Sequence, residues 1–275
     1  MPMIETQDGV RLYAKIWGTG RPVVLIHGWP LSSDSWDPQS HALADAGYRV
    51  IAYDRRGFGR SDQPDGGYDY DHFADDLAAV MAATGATSDV ALVGFSMGGG
   101  EVVRYLYRHG GRGITRAALV SSVVPFMLRT ADNPNGVPEE AFATMTAGMK
   151  ADRPAFFRSF FKDFFGQEMT THAVSGETLD WAWQMAMQSG LRPTLGAAKA
   201  FATTDFRADL AAVTCPLLVI HGTADKTVPI DATGRVVAAT VKGATLLEYA
   251  DAPHGLFVTH GDRLTTDLLT FLARG

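Results

Sequence analysis

Val90-Ala91-Leu92-Val93-Gly94-Phe95-Ser96-Met97-Gly98-Gly99-Gly100 is the stretch whose reading decides the fold. Val90–Val93 is a short apolar run without polar alternation, the pattern of a strand buried on both faces. After Ser96, the residues Val102, Val103, Leu106 and Tyr107 recur at helical spacing. Gly94, Ser96 and Gly98 therefore form G-x-S-x-G between a buried strand and a helix. A serine on so sharp a turn needs strained φ/ψ angles, and the positions two before and two after it must lack bulk. The turn exposes Oγ at the strand's C-terminal edge, beside a helix N-terminus whose N–H groups favour an oxyanion. The rival reading is a Gly-rich helix start with an ordinary N-cap serine. The strand before and the helix after favour the nucleophile.

Outward from this turn, similar apolar runs recur at Val23–Ile26, Val50–Tyr53, Ala117–Val120, Leu217–Ile220 and Thr245–Tyr249. Met3–Thr6 and Val10–Trp17 flank Gln7-Asp8-Gly9 and read as an antiparallel hairpin at the sheet edge. Helical patterns lie between the runs: Tyr70, Phe73, Leu77, Val80 and Met81, then Leu264, Leu268, Phe271 and Leu272 at the C-terminal end. Alternating strands and helices predict an α/β architecture with a mostly parallel sheet. Residues 126–204 break the alternation. They open with an Asn/Pro-rich loop and continue through helical stretches rich in Phe, Met, Trp and Ala. The expected organisation is a core in two parts, 1–125 and 205–275, with 126–204 inserted as a helical cap.

A nucleophilic serine needs a base, and the base needs an orienting acid. His254 stands between Pro and Gly after the last predicted strand, and Asp225 follows the strand Leu217–Ile220. Ser96, Asp225 and His254 together satisfy both chain order and loop placement. Asp231 reads as a surface residue opening a helix, and Asp251 is too close to His254 to approach it from the right side. His221 reads as a plug for its loop, and His260 as an exposed residue at the start of the final helix. Asp205 and Asp209 read as hinge charges of the cap. The run Val23–Ile26 leads into His27-Gly28-Trp29-Pro30, a sharp turn. Its Trp29 N–H is expected to pair with the Met97 N–H as oxyanion donors, since Pro30 has none. His27 reads as a brace for that loop. Pro30, Val123, Phe126, Phe142, Phe160 and Val228 are the expected pocket residues, most cap aromatics being packing residues.

Composition bounds the alternatives. The net charge is −6, with no Lys/Arg cluster, so no nucleic-acid partner is expected. The one cysteine, Cys215, excludes an internal disulfide or a thiolate cage. The eight histidines show no metal-ligand spacing, and no metal is expected. Neither a signal peptide nor a membrane-spanning run is visible, so a cytoplasmic protein with no membrane partner is expected. Gly57-Phe58-Gly59 lacks the third glycine of a dinucleotide fingerprint. Asp54–Ser61 reads instead as a structural loop under the site, with Arg55 and Arg56 tied to carboxylates or carbonyls.

Five stretches carry a resemblance to a known family: His27-Gly28-Trp29-Pro30-Leu31-Ser32, Tyr53-Asp54-Arg55-Arg56-Gly57-Phe58-Gly59-Arg60-Ser61, Gly94–Gly100, His221-Gly222-Thr223-Ala224-Asp225, and Ala252-Pro253-His254-Gly255-Leu256. In these the chain resembles the α/β-hydrolases called cofactor-free bacterial haloperoxidases, with the similar aryl esterases and perhydrolases. The resemblance implies the α/β-hydrolase fold, a mostly parallel eight-stranded sheet flanked by helices with a helical cap insertion. It also implies hydrolysis of small carboxylic esters through an acyl-enzyme, and perhydrolysis of a small ester or carboxylic acid with hydrogen peroxide in place of water. Neither haem, vanadium nor any other cofactor is implied. Perhydrolase-type members resemble this chain in carrying Pro at position 30. The family's oligomers imply a homo-oligomer, trimer-based. Lactone, lactam and C–C bond hydrolases share these motifs and form the alternative, beside a non-catalytic hydrolase-like binding protein.

Overall fold

The computed structural model describes residues 2–167 and 173–274; residues 168–172 of the expected cap lie outside them. In chain order the elements are β1 (Met3–Glu5), β2 (Arg11–Trp17), β3 (Pro22–Ile26), α1 (Asp37–Asp45), β4 (Arg49–Tyr53), α2 (Tyr70–Ala83), β5 (Val90–Phe95), α3 (Met97–His109) and β6 (Ile114–Val120). Then come α4 (Glu139–Phe164), α5 (Gly176–Gln188), α6 (Leu191–Thr203), β7 (Leu217–Gly222), α7 (Gly234–Thr240), β8 (Thr245–Tyr249), α8 (Leu256–Thr259) and α9 (Gly261–Ala273).

The strands form one eight-stranded sheet in the order β1-β2-β4-β3-β5-β6-β7-β8. Only β2 breaks the parallel run, pairing antiparallel with both β1 and β4. The hairpin reading holds: Gly9, at φ +81°, turns the chain and donates to the Thr6 carbonyl at 3.0 Å. All residues of β5 and of β7 are buried, which is why neither run alternates. From β3 the chain passes to β4 on one side and then to β5 on the other. That reversal opens a crevice at the strands' C-terminal ends, where open α/β sheets place their ligands. Gly28–Trp29 follows β3 and Ser96 follows β5, so both lie at this switch point.

Helix ends follow local chemistry. Asp69 caps α2, its carboxylate accepting from the Asp71 and His72 N–H groups at 3.1 Å. The helix α3 ends on Gly110 in the left-handed conformation, φ +67°. Within α4, Asp152 leaves the helical region at φ −154°, ψ 88°. Its carboxylate accepts from the Ala155 N–H at 2.9 Å, and Pro154 lies between them. Asp152 is thus the N-cap of a second helix, and α4 is two helices end to end. The C-terminal one buries Phe157, Phe161 and Phe164; residues 139–151 bury only Met149. Among the described residues no helix is long and apolar enough to cross a membrane.

The strand-to-helix turn depends on missing side chains. A Cβ on Gly94 would lie 2.4 Å from the Gly98 carbonyl oxygen, and one on Gly98 would lie 2.5 Å from that of Ile26. Both obstacles are backbone, so they cannot swing away. Gly94→Ala is expected to cost about 1–3 kcal/mol, the range of overpacked cores. Gly176→Ala, with nothing within 4 Å among the described residues, is expected to be neutral or slightly stabilising. Thermal melts of the two variants test this; equal midpoints would contradict it.

Candidate active site

The backbone at Ser96 sits at φ +53°, ψ −117°, an uncommon place for a residue with a Cβ. Neighbouring chain holds it there. The Ser96 N–H donates to the Val120 carbonyl of β6 at 2.8 Å, and the Ser96 carbonyl accepts from Gly99 and Val123 N–H groups at 3.0 and 3.3 Å. Oγ then points over the C-terminal edge of the sheet, 3.0 Å from His254 Nε2.

His254 Nδ1 is 2.7 Å from Asp225 Oδ2. An ionised carboxylate only accepts, so the imidazole carries its proton on Nδ1 and leaves Nε2 free to accept from the serine. The ring lies between Phe95 and Phe164, with centroids 5.1 and 4.9 Å away. Gly255 N–H donates to the Phe164 carbonyl at 2.7 Å, tying the histidine loop to α4.

Asp225 is anchored by its own loop. Oδ1 accepts from the Thr227 and Val228 N–H groups at 2.9 and 2.8 Å. Burial alone would raise its pKa, but His254 and His221 beside it outweigh that and hold it at about 2. His221 plugs the loop: its Nε2–H donates to the Val228 carbonyl at 2.9 Å and lies 3.3 Å from Asp225 Oδ2. Asp231 and Asp251 are both exposed, Asp231 paired with Arg235. His260 differs from expectation, being half-buried against the Tyr249 ring, which burial and Arg263 accompany with a lowered pKa. Asp209 is buried and paired with Arg104 on α3 at 2.7 Å; Asp205 pairs with Arg207.

The loop after β3 is built from beneath. Leu31 N–H donates to the Gly28 carbonyl at 3.0 Å across a cis Trp29–Pro30 bond, a turn with proline at its third position. His27 Nδ1–H donates to the same carbonyl at 2.9 Å, while Nε2 accepts from the Arg55 N–H at 3.0 Å. Burial and the Arg55 charge push the His27 pKa down to about 3, so the brace stays neutral. Arg55 also donates to the His27 carbonyl at 2.6 Å and to Glu101 on α3, whose other oxygen accepts from Tyr53 at 2.6 Å. Burial raises the Glu101 carboxyl to about 7, against the pull of Arg55 and Tyr53. Arg56 is held by Asp76 and Asp8. The peptide between Gly28 and Trp29 thus has its carbonyl bound on one side. Among the described residues, neither the Trp29 N–H nor the Met97 N–H donates to a protein acceptor.

A cavity of about 310 Å³ stands over Ser96 and His254. Val123, Phe142, Phe160 and Val228 line it, and Trp29 adds an apolar wall. Pro30 and Phe126 do not. Pro30 is buried in the turn just described, and Phe126 lies under the Arg207 guanidinium, 5.1 Å from its ring centre. Phe201, Met127 and Met145 line the cavity and were missed. Phe201 sits in an Ala-rich helix with the spacing of a packing residue. Met127 had a signal, since it closely follows a central strand's C-terminal end. Asp163 and Lys226 add charged side chains to its lining. Among the described residues no group of three or more His, Cys, Asp or Glu side chains is placed to hold a metal ion.

Residues 21–261 match the family described as the alpha/beta hydrolase fold. The chain is 43% identical over 274 residues to the non-heme chloroperoxidase CPO-A1 of Kitasatospora aureofaciens, covering 99% of both. It is 38% identical over 276 residues to the bifunctional esterase/perhydrolase DCH of Acinetobacter calcoaceticus, again covering 99% of both. Among solved structures, a bromoperoxidase from Bacillus anthracis superposes with a TM-score of 0.95 at 40% identity, over 99% of each chain. The protein therefore belongs to the α/β-hydrolase fold family, in the group that holds the non-heme haloperoxidases and the esterase/perhydrolase.

Proposed function

We propose that this protein is a serine hydrolase of small carboxylic esters that works through an acyl-enzyme on Ser96 and also performs perhydrolysis. The observation that carries the reading is the chain Ser96 Oγ, His254, Asp225, with contacts of 3.0 and 2.7 Å at the floor of an apolar cavity. Ser96 Oγ attacks the ester carbonyl carbon, and its proton passes to His254 Nε2. The oxyanion is held by the Trp29 and Met97 N–H groups, the latter at the N-terminus of α3. His254 returns the proton to the leaving oxygen as the C–O bond breaks. Water then attacks the acyl-enzyme, His254 takes its proton, and the acid leaves as Ser96 Oγ is reprotonated. Asp225 holds the tautomer and stabilises the imidazolium.

Hydrogen peroxide can replace water in the second half, giving the peracid. Its distal O–H can donate once more, and the Trp29 carbonyl accepts from no donor among the described residues. One such bond favours peroxide over water by roughly three- to tenfold. The names of the relatives, chloroperoxidase and esterase/perhydrolase, support both activities. We read α4 to α6, inserted between β6 and β7, as the cap. A small ester or acid with water or peroxide is the substrate set. A trimer-based homo-oligomer and a cytoplasmic setting complete the reading.

Three outcomes test it. Ser96→Ala should lower kcat on phenyl acetate by on the order of 10⁶ and abolish peracid formation with hydrogen peroxide; loss of one activity alone would contradict a shared acyl-enzyme. Asp225→Asn should cost about 10⁴ in kcat near neutral pH, while Asp251→Asn costs little. The third is a stability. The folded Asp225 titrates at about 2 instead of its ordinary 3.8. A depressed acid stabilises the fold above its unfolded pKa and loses that contribution as pH falls through the folded one. Urea unfolding should show wild type ahead of Asp225→Asn by on the order of 2 kcal/mol at pH 7. The gap should narrow between about pH 4 and pH 2; a gap independent of pH would contradict it.

A further inference from the structure

The cavity over Ser96 has two unlike ends. Asp163 and Lys226, which also border a separate pocket with Asp251 and His260, mark the polar end, and Thr227 lines the cavity with them. Val137, Ala141, Phe142 and Met145 form the apolar end. A second groove, about 460 Å³, lies on the far side of Phe142 and Met145, between α4 and α6. Those two side chains line both spaces and are half-buried. They are the partition between the cavity and the groove.

The partition is weakly held. Both residues stand on residues 139–151, the half of α4 in which only Met149 is buried. Among the described residues Phe142 meets one aromatic neighbour, Phe201, at 6.3 Å, whereas Phe161 meets four rings at 5.5–6.2 Å. Methionine is unbranched and adapts its shape readily. Both side chains pack against the edge of the core and stand between the two spaces.

The groove has an apolar floor of Leu128, Ala143, Ala147, Ala198 and Ala202. Its charged residues are Glu139, Lys150 and Lys199. Lys150 lies five residues beyond Met145, about 8 Å along the helix axis. Lys199 faces the groove from α6. Both lysines are exposed, and neither has an ion-pair partner among the described residues.

We propose that this groove is the distal part of the acyl site and takes linear acyl chains ending in a carboxylate, the half-esters of dicarboxylic acids. The proposal rests on the acyl-enzyme at Ser96. The leaving oxygen must be protonated by His254, so the leaving group occupies the end near Lys226 and Thr227. The acyl chain then points the other way, past Phe142 and Met145, and its terminal carboxylate meets Lys150 and Lys199.

The test is kcat/KM for two phenyl ester series: neutral acyl chains from acetate to dodecanoate, and half-esters from succinate to dodecanedioate. Among longer chains, half-esters should exceed neutral esters of equal length by roughly three- to tenfold at low salt, the scale of two exposed charge contacts. Lys150→Glu/Lys199→Glu should reverse that preference. Both lysines are on the surface, so the variant is expected to fold. Phe142→Ala should raise the ratio of long-chain to short-chain turnover in both series. Equal rates for half-ester and neutral ester in wild type, or a preference that survives the double substitution, overturns the groove. Absence of phenyl acetate turnover in wild type overturns instead the acyl-enzyme reading beneath it.

Discussion

The backbone of Ser96, held at φ +53° and ψ −117°, is the constraint on which the site depends. A side chain there is carried on a strained turn, which persists only where the surroundings over-determine it. Here they do so from three strands. The Ser96 N–H is bonded to β6, Gly98 lies against the Ile26 carbonyl at the end of β3, and Gly94 closes β5 against the start of α3. Gly28 takes part too, since a Cβ there would meet the Phe95 ring at 2.6 Å and the Ser96 Cβ at 3.0 Å. The glycines let backbone approach backbone. In return the serine oxygen, the N-terminus of α3 and the loop after β3 come together without any long loop.

The second requirement is that the loop after β3 and the start of α3 keep their spacing. A buried chain does this: Glu101 on α3, Arg55 after β4, and His27 at the end of β3. A buried ion pair is not a strong source of net stability, because both charges lose their hydration. Its use here is geometric, since Arg55 binds Glu101 on α3 through Nε and His27 at the end of β3 through its other donors. The His27 ring completes it by binding the Gly28 carbonyl, which turns the Trp29 N–H away from the packed side. The aromatic cluster of the second half of α4 supports His254 in the same way. The first half of α4 packs much less, and the site thus joins a rigid floor to a softer roof.

Much of this was legible from residues alone, for physical reasons. The central strands are buried on both faces, so they appear as unbroken apolar runs. The hairpin and the turn at Ser96 need residues without Cβ, and glycine marks them. Asp225 and His254 stand on loops after strands, where chain order restricts the choice. Less was legible in residues 126–204. Helical spacing locates an apolar face but not what it packs against, so Phe201 and Met145 do not stand out from packing residues. Pro30 and Phe126 are expected in the pocket, but a turn buries one, and Arg207 covers the other. The kink at Asp152 was hidden because Pro154 fits a helix start as well as a helix interruption.

Whether Ser96 carries the acyl group in turnover is decided by peptide mass spectrometry of acid-quenched enzyme. Enzyme mixed with phenyl acetate is quenched at successive times and digested, with and without hydrogen peroxide. An acetyl group is expected on the peptide containing Ser96, formed before product accumulates, with peracetic acid appearing as it decays in peroxide. Product accumulating with no adduct at any time, or an acetyl group on a different residue, would contradict it.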